Sequence, residues 1–242
     1  MIHWSPAIRS HHPSNSITLG TMNPLSAPNM TDMNIPELNA ATFEALARSR
    51  LLANPPALDE PHAPGDDDLN PGSPRPRTGL RHAAVLVPVI ARSPLTVLLT
   101  ARTDHLPSHA GQIAFPGGKV ESDDAGPLAA ALRETREEIA LDKSFIEPVG
   151  FLPPYRTGTG YVITPTVGLV RTGFDLTADP QEVAAVFEVP FAFLMNEANH
   201  QIHSRVFGGV ERHFYAMPYG ERYIWGATAG IIRTLYRRLF TA

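Results

Sequence analysis

The sequence predicts an α+β fold, in which a mixed β-sheet packs against helices. The segments "HAAVLVPVIA" (82–91) and "LTVLLTA" (95–101) are runs of aliphatic and β-branched residues. Arg92-Ser93-Pro94 joins them, and the pair is typical of a buried hairpin. Later strand-like and helix-like segments do not alternate regularly, as a doubly wound parallel sheet would require. The sequence therefore favours a mixed sheet with helices packed on it.

The remaining elements of this folded region follow from their composition. Further strands are predicted at "FIEPVGFLPP" (145–154) and "YVITPTVGLVR" (161–171), which the loop "YRTGTG" (155–160) joins. The segments "QEVAAVFEVPFAFLMN" (181–196) and "ATAGIIRTLYRRLF" (227–240) are predicted to be largely helical. Together these elements predict a folded domain over residues 78–242.

Residues 1–77 differ sharply in composition from the rest of the chain. Residues 1–34 and 54–77 are rich in Pro, Ser, Asn, Asp and Gly without periodicity, which predicts a poorly ordered, Pro-rich extension. Between them, apolar residues recur at roughly helical spacing, which predicts one amphipathic helix at about residues 35–53. Such a helix docks on the domain or binds a partner. The apolar residues that carry this prediction are Leu38, Phe43, Leu46 and Leu51.

Composition excludes several classes of function. The chain has 242 residues, 43% of them apolar, and a formal charge of −4, so no broad basic surface for nucleic acid is expected. An anionic ligand must then be held locally, for example through a bound cation. The absence of cysteine excludes disulfides and cysteine-ligated metals. No apolar run is long enough to span a membrane, and the N-terminus lacks a signal peptide, so a cytoplasmic location is expected.

The segment "LAAALRETREEIAL" (128–141) predicts a helix with an acidic side. At about 100° per residue, Glu134, Glu137 and Glu138 point to one side, where like charges repel one another. A hard divalent cation such as Mg²⁺ would remove this repulsion, because carboxylate oxygens are the ligands it prefers. Alternatively, the three glutamates form a solvated face paired with Arg133 and Arg136.

The other residues of this helix are predicted to face either the protein core or the ligand site. The core-facing stripe is predicted to comprise Leu128, Leu132, Thr135 and Ile139. Ala130 and Ala131 lie on the carboxylate side, where small side chains are expected to leave room for a ligand. The preceding "FPGGK" (115–119) predicts a turn whose backbone approaches a ligand closely. It is not a P-loop, because Ile113 and Val120 stand where that motif requires Gly and a hydroxyl residue.

This loop and helix resemble the Nudix box, a loop–helix–loop that binds Mg²⁺. Asp124 stands for the usual Glu, with one extra residue before Arg133, and Ala140 replaces the usual Gly after the helix. Neither departure touches the three glutamates. The residues that match the box are Gly118, Asp124, Arg133, Glu134, Glu137 and Glu138.

The segment "LLTARTDHLPSHAGQIAFPGG" (98–118) resembles the signature of the coenzyme A pyrophosphatase branch of that family. Pro107 stands where the signature usually has Arg. The resemblance spans roughly residues 80–235, including "IWGATAGII" (224–232). The matching positions are Leu98, Leu99, Thr100, Arg102, Gly111, Phe115, Pro116, Gly117 and Gly118.

The resemblance implies a Nudix-type α/β/α sandwich and hydrolysis of the diphosphate bond of coenzyme A, or of an acyl form, to 3′-phosphoadenosine 5′-phosphate and 4′-phosphopantetheine. It implies Mg²⁺ or Mn²⁺ as cofactor, with Glu134 and Glu138 as first ligands. Glu137 shares a second ion or acts as base, and Arg133 orients a carboxylate. Glu182 is a further candidate ligand or base.

Substrate-binding candidates are more scattered along the chain. Basic side chains could hold phosphates, and Tyr155 and Tyr161, which flank the loop "RTGTG", could stack on adenine. The candidates for phosphate and backbone contacts are Arg102, His105, His109, Gly117, Gly118, Lys119 and Arg156.

Two alternatives to a coenzyme A pyrophosphatase remain open. One is hydrolysis of another nucleoside diphosphate derivative, such as ADP-ribose or a dinucleotide. The other is a noncatalytic nucleotide sensor with the same fold. The expected partners are a small-molecule substrate and, as an open option, a second copy in a homodimer. Residues 1–75 are predicted to be dispensable for hydrolysis.

Overall fold

The computed structural model describes residues 38–58, 63–72, 78–104, 111–207 and 209–241. Their α-helices are α1 (Ala40–Arg50), α2 (Pro127–Ile139), α3 (Phe191–Met195) and α4 (Ala227–Phe240). Short 3₁₀ helices lie at Asp66–Leu69, Lys143–Phe145 and Glu197–Asn199. The strands are β1 (Arg81–Ile90), β2 (Thr96–Arg102), β3 (Ile113–Ala114), β4 (Gly117–Lys119), β5 (Ile146–Phe151), β6 (Tyr155–Arg156), β7 (Tyr161–Val170), β8 (Val183–Pro190), β9 (Gln201–Phe207), β10 (Val210–Tyr219) and β11 (Arg222–Trp225).

The first eight strands form one mixed sheet. β1 and β7 run parallel over their whole length, and the other strand pairs of this sheet are antiparallel. β1 meets β2 at Val89↔Val97 and β4 at Ala84↔Gly118. The predicted hairpin, the mixed sheet and the α+β class are therefore confirmed. A second, three-stranded sheet has the order β11-β10-β9.

Helices cover both faces of the large sheet. α2 packs through Ala130, Ala131 and Ile139 on one face, together with Leu86 and Leu98 of β1 and β2. The opposite face carries α1, α3, α4 and buried residues of the three-stranded sheet. This arrangement is an α/β/α sandwich whose core has two parts, one on each side of the sheet.

Residues 181–196 do not form the largely helical segment that the sequence predicts. Residues Val183–Pro190 form strand β8, and the helical part is confined to Phe191–Met195. β8 pairs along the outer edge of β2, and Glu188 binds Arg92 there through two contacts of 2.7 Å. Tertiary pairing with an open strand edge therefore overrides the local helical preference. The hairpin of β9 and β10 was not predicted from the sequence.

The N-terminal third is only partly as predicted. Helix α1 lies inside the expected range 35–53, and Asn39 caps it by accepting a hydrogen bond from the Thr42 N–H at 3.0 Å. Phe43 and Ala47 are fully buried, so the helix docks on the domain. The compact unit runs from Ile35 to Ala242, so it does not begin at the predicted boundary at residue 78.

Residues 63–72 also differ from the predicted poorly ordered segment. They contain the 3₁₀ helix Asp66–Leu69, and Gly65 forms a parallel bridge with Arg156. These contacts join the segment to the body of the domain, which composition alone does not reveal. The prediction for residues 1–34 lies outside the described residues. Among the described residues, no helix combines the length and apolar character needed to cross a membrane.

Candidate active site

Helix α2 is held close against the sheet by its small residues. Pro127 is its first residue, and Gly126 precedes it at φ 131°, a conformation that favours glycine. Thr135 and Ile139 are buried as predicted. Ala130 and Ala131 are fully buried as well, which corrects the expectation that they leave room for a ligand. Their small side chains let the helix approach β1 instead.

Glu138 is a buried carboxylate, with a side chain only 5% exposed. Its Oε2 accepts a hydrogen bond from the Gly117 N–H at 3.2 Å, and its Oε1 lies 3.8 Å from Arg102 Nη1. Burial raises the pKa of Glu138 to about 7, and the charges of Glu182 and Glu134 act in the same direction. The Gly117 N–H and Arg102 oppose this shift. Glu138 therefore does not belong to a solvated charged face.

Glu134 lies directly on the two-glycine turn. A Cβ added to Gly118 would come within 2.4 Å of the Cδ of Glu134. Gly117 has φ 150°, and a Cβ there would come within 2.3 Å of the Ala84 carbonyl oxygen. Burial is also the main cause that raises the pKa of Glu134, whereas Arg133 lowers it. Both glycines are required because the backbone packs against β1 on one side and a carboxylate on the other.

Arg133 connects the acidic residues of the box. Its Nε and Nη2 donate to the two carboxylate oxygens of Asp124, at 3.1 and 2.9 Å. Its Nη1 donates to Glu134 and to Glu137, both at 3.0 Å, and Nη2 also donates to the Lys119 carbonyl at 3.1 Å. Arg133 holds the pKa of Asp124 below its usual value. One guanidinium therefore offsets the repulsion between Glu134 and Glu137 and ties the helix to the preceding loop.

Glu182 lies at the edge of this cluster, exposed, just before β8. Its charge raises the pKa of both Glu134 and Glu138, so all three carboxylates lie near one another. In the described part of the chain, however, no group of three or more acidic or histidine side chains stands in a metal-binding arrangement. In this structure Arg133 engages Glu134 and Glu137, and Glu138 accepts a hydrogen bond from the Gly117 N–H.

The residues of the cluster nevertheless fit a hard divalent cation chemically. Their donor atoms are carboxylate oxygens, which Mg²⁺ and Mn²⁺ prefer. Burial is the main cause that raises the pKa of Glu134 and of Glu138, and a bound cation would favour their charged forms.

The predicted substrate-binding residues divide into two groups. Arg102 lies beside Glu138 in the acidic cluster, whereas Lys119 contacts the cluster through its backbone carbonyl, which accepts from Arg133. Arg156 is engaged elsewhere, because its Nη2 donates to the Leu58 carbonyl at 3.3 Å and its backbone N–H donates to the Pro64 carbonyl at 2.9 Å. His105 and His109 lie outside the described residues.

The two tyrosines beside the loop 157–160 are not free to stack on a base. Tyr155 is buried and its hydroxyl donates to Asp66 Oδ1 at 2.9 Å. Tyr161 is covered by Arg81, whose guanidinium carbon lies 3.9 Å from the ring centroid. Sequence reasoning missed Asp66, because the acidic run "DDD" (66–68) is typical of a solvated loop and gives no local signal of a buried contact.

Comparison with known proteins identifies the family. The family profile described as NUDIX domain matches residues 80–207. The Escherichia coli (strain K12) protein named "Uncharacterized Nudix hydrolase NudL" is 42% identical over 167 residues, which cover 69% of this chain and 87% of that protein. The protein of the same name from Shigella boydii serotype 18 matches with the same figures. Among solved structures, DR0079 from Deinococcus radiodurans has a TM-score of 0.45 and 14% identity, over 68% of this chain and 90% of that chain. The profile match and the 42% identity show that this chain belongs to the Nudix family.

Proposed function

We propose that the protein is a pyrophosphohydrolase that cleaves the diphosphate bond of coenzyme A or its acyl derivatives and requires Mg²⁺ or Mn²⁺. The observation that carries the proposal is the buried carboxylate of Glu138, which converges with Glu134 on the turn of Gly117 and Gly118. A buried acid with a raised pKa is typical of functional sites. Family membership supports the reaction class, and the signature in residues 98–118 supports coenzyme A as substrate.

Each acidic side chain has a separate role in this proposal. Glu134 and Glu138 hold the cation, with Glu182 as a further ligand. A bound divalent cation would neutralise the charge of the diphosphate and activate the attacking water. Glu137, whose side chain is 59% exposed, shares a second ion or accepts a proton from that water. Arg133 keeps the carboxylates of Glu134 and Glu137 in place through its contacts of 3.0 Å.

Substrate phosphates are held by basic side chains and by the glycine backbone. Arg102 lies beside Glu138 and can form charge-assisted hydrogen bonds with phosphate oxygens, and Lys119 is a further candidate for such a contact. Gly117 and Gly118 let the chain pass close to the diphosphate, and His109 remains a further candidate. Arg156 also remains a candidate, with one guanidinium nitrogen, Nη2, donating to the Leu58 carbonyl at 3.3 Å.

The proposal includes a cytoplasmic location and a homodimer. A chain without cysteine is compatible with a reducing compartment.

The proposed homodimer forms through strand β9, which is an edge strand of its sheet. Two of its apolar residues are exposed, Ile202 by 56% and Val206 by 64%. Antiparallel pairing of two β9 strands about Ser204 would place Ile202 opposite Val206 of the second copy. Such pairing would cover apolar residues on an otherwise open edge.

A substrate panel tests the proposed function. The protein is incubated with Mg²⁺ and, separately, coenzyme A, 3′-dephospho-coenzyme A, ADP-ribose and NADH, and the products are identified by mass. We expect 3′-phosphoadenosine 5′-phosphate and 4′-phosphopantetheine, with coenzyme A preferred about tenfold or more over its dephospho form, since a charge-assisted hydrogen bond contributes about 1.5–3 kcal/mol. Faster cleavage of ADP-ribose would instead favour the nucleotide-sugar alternative. Binding without cleavage of any compound would favour a sensor.

A further inference from the structure

Residues 174–182, here called the β7–β8 loop, lie against the end of helix α2. The apolar residues Phe174, Leu176 and Ala178 alternate along the loop and pack into the part of the core under α2, whereas the residues between them are exposed. This alternate packing gives a fixed course to a segment that forms neither helix nor strand. The loop ends at Glu182, the exposed member of the acidic cluster.

Backbone hydrogen bonds join the β7–β8 loop to the last carbonyls of helix α2. The Thr177 N–H donates to the Ile139 carbonyl at 3.0 Å, and the Asp179 N–H donates to the Glu138 carbonyl at 2.8 Å. The last four carbonyls of a helix have no partner inside it, so the loop satisfies acceptors that the helix leaves open. The loop is therefore attached to the same residue whose carboxylate is buried in the acidic cluster.

Asp179 forms the turn that leads from Glu138 to Glu182. Its side-chain Oδ1 accepts from the Gln181 N–H at 2.8 Å, which closes a turn of the kind that aspartate favours. Its carbonyl accepts from the Glu182 N–H at 3.1 Å and from the Val183 N–H at 2.8 Å. Asp179 thus contacts the backbones of both Glu138 and Glu182 and fixes the distance between them.

Thr103 holds the same loop from the end of strand β2. Its N–H donates to the Glu182 carbonyl at 3.0 Å, and its Oγ1 donates to the Gln181 carbonyl at 3.2 Å. Thr103 is only 7% exposed, and it follows Arg102, whose Nη1 lies 3.8 Å from Glu138 Oε1. The backbone of Glu182 is therefore fixed from α2 through Asp179 and from β2 through Thr103.

We propose that Asp179 and Thr103 are positioning residues for Glu182. They hold its carboxylate beside those of Glu134 and Glu138, and they thereby raise the affinity of the acidic cluster for a divalent cation. Neither residue touches the cation, the substrate or the attacking water. Residues around a metal ligand matter because they orient the ligand before the cation binds. The inference rests on the proposed function, in which Glu182 is a further ligand of the cation.

Binding of Mn²⁺ to the substrate-free protein tests the inference, because it is measured without catalysis. Asp179→Ala removes the acceptor for the Gln181 N–H, whereas Asp179→Asn keeps an acceptor oxygen and removes only the charge. Thr103→Val removes the hydroxyl but keeps the shape of the side chain, and Thr103→Ser keeps the hydroxyl. Asp175→Ala, at an exposed position of the same loop, is the control for removing an aspartate.

Isothermal titration calorimetry gives the dissociation constant of Mn²⁺ for each variant, and melting in EDTA shows that the variant is folded. Asp179→Ala should weaken Mn²⁺ binding about tenfold, as is typical when a residue that orients a metal ligand is removed. Thr103→Val should weaken it by a smaller factor, because the Thr103 N–H still binds the Glu182 carbonyl. Asp179→Asn, Thr103→Ser and Asp175→Ala should bind Mn²⁺ as wild type does.

Combining Asp179→Ala with Glu182→Gln shows whether Asp179 acts through Glu182. Glu182→Gln alone should weaken Mn²⁺ binding at least as much as Asp179→Ala, since it removes the charge of the ligand itself. Once Glu182 is replaced, Asp179→Ala should have no further effect, because residues that act through one another are not additive. An equal loss in both backgrounds would mean that Asp179 acts independently of Glu182, and would overturn the inference.

Other results would also contradict the inference. Unchanged Mn²⁺ binding in Asp179→Ala and Thr103→Val would show that the two residues do not position a ligand. A loss in Asp179→Asn as large as in Asp179→Ala would point to the charge of Asp179 rather than to its turn. Unchanged binding in Glu182→Gln would overturn the inference, while the proposed function would still stand on Glu134 and Glu138. If the wild-type protein binds no Mn²⁺ and cleaves no diphosphate, the proposed function fails, and the inference fails with it.

Discussion

The carboxylate of Glu134 rests on the backbone of Gly118, so closely that an added Cβ would lie 2.5 Å from both carboxylate oxygens. The turn therefore fixes where this carboxylate lies on the helix surface. The three atoms nearest to a Cβ at position 118 all belong to the flexible end of the Glu134 side chain. The close contact matters for the position of the carboxylate more than for the fold.

Gly118→Ala should lower the activity but leave the stability of the fold nearly unchanged. The methyl group displaces the Glu134 carboxylate, so hydrolysis in Mg²⁺ should fall by about a hundredfold or more, as expected when a metal ligand is misplaced. The free energy of unfolding in EDTA should change by less than about 1 kcal/mol, because the side chain can rotate away. Both are measured on one preparation, by product formation and by urea denaturation. Retained turnover would contradict the role of Glu134.

In the absence of metal, Glu138→Gln should be more stable than wild type, by an amount that depends on pH. Because burial raises the pKa of Glu138 from 4.5 to about 7, the folded protein binds this proton more tightly than the unfolded chain, and stability falls as pH rises from 4.5 through 7. The variant avoids that loss, so at pH 8 in EDTA it should be more stable than wild type by at most about 3 kcal/mol. At pH 4.5 the difference should vanish.

The same Glu138→Gln variant should lose turnover in Mg²⁺ by orders of magnitude, since it removes an anionic ligand. Thermal melting at several pH values in EDTA and product formation in Mg²⁺ are the two measurements. Glu221→Gln, at an exposed turn, is the control for the chemical change. A variant that melts below wild type at pH 8, or that turns over normally, would favour a structural ion-pair role for the glutamates.

The local patterns of the sequence predicted the hairpin of β1 and β2, helix α2 and the convergence of Glu134 and Glu138. These features follow from the periodicity of apolar residues and from the spacing of residues that are close in sequence. Strand β8 was missed because its pairing with β2 depends on an edge that only the folded sheet creates. Asp66 was missed for the same reason, since its partner Tyr155 lies 89 positions away along the chain.

The role of Arg133 was predicted only in outline. Its position in the box indicated that it orients a carboxylate, but the number of its partners depends on the fold of the preceding loop. The extra residue between Asp124 and Arg133 does not prevent their pairing, because two hydrogen bonds join the side chains. For Arg156, predicted to bind phosphate, the fold adds a contact that the sequence does not reveal, from its Nη2 to the Leu58 carbonyl.

Ala140→Gly should stabilise the protein. Ala140 ends helix α2 with φ 58° and ψ 19°, a left-handed conformation in which Cβ is unfavourable, and its N–H donates to the Arg136 carbonyl at 2.9 Å. Glycine removes the steric cost and should add about 1 kcal/mol to the free energy of unfolding. Ala129→Gly, inside the same helix, should instead cost about 1 kcal/mol. Urea denaturation compares the two, and a loss of stability in Ala140→Gly would contradict the helix-end argument.

Val206→Lys should convert the proposed homodimer into a monomer. Val206 is exposed on the edge strand β9, and a charge there opposes strand pairing with a second copy. Val210→Lys, on the neighbouring strand β10, should leave the dimer intact because β9 lies between that strand and the proposed contact. Light scattering after size-exclusion chromatography gives the mass of each protein. A monomeric wild type at micromolar concentration would refute the dimer.

Removing residues 1–77 should destabilise the protein, although composition predicts that residues 1–75 are dispensable. Helix α1 buries Phe43 completely, and its ring lies 5.2 Å from the ring of Phe191 in the core. Leu52 and Phe151 exchange two backbone hydrogen bonds, at 3.0 and 2.8 Å. A protein that begins at Thr78 would expose this part of the core to water.

Phe43→Ala isolates the contribution of helix α1 from that of residues 63–72. Truncating a fully buried phenylalanine should lower the free energy of unfolding by about 3–5 kcal/mol, because it leaves a cavity next to Phe191. A truncation that begins at Ile35 retains the compact unit and should melt within a few degrees of the full chain. One that begins at Thr78 should be insoluble or melt far lower. If the Thr78 truncation is instead folded and fully active, helix α1 and residues 63–72 are both dispensable, and the packing argument for Phe43 is wrong.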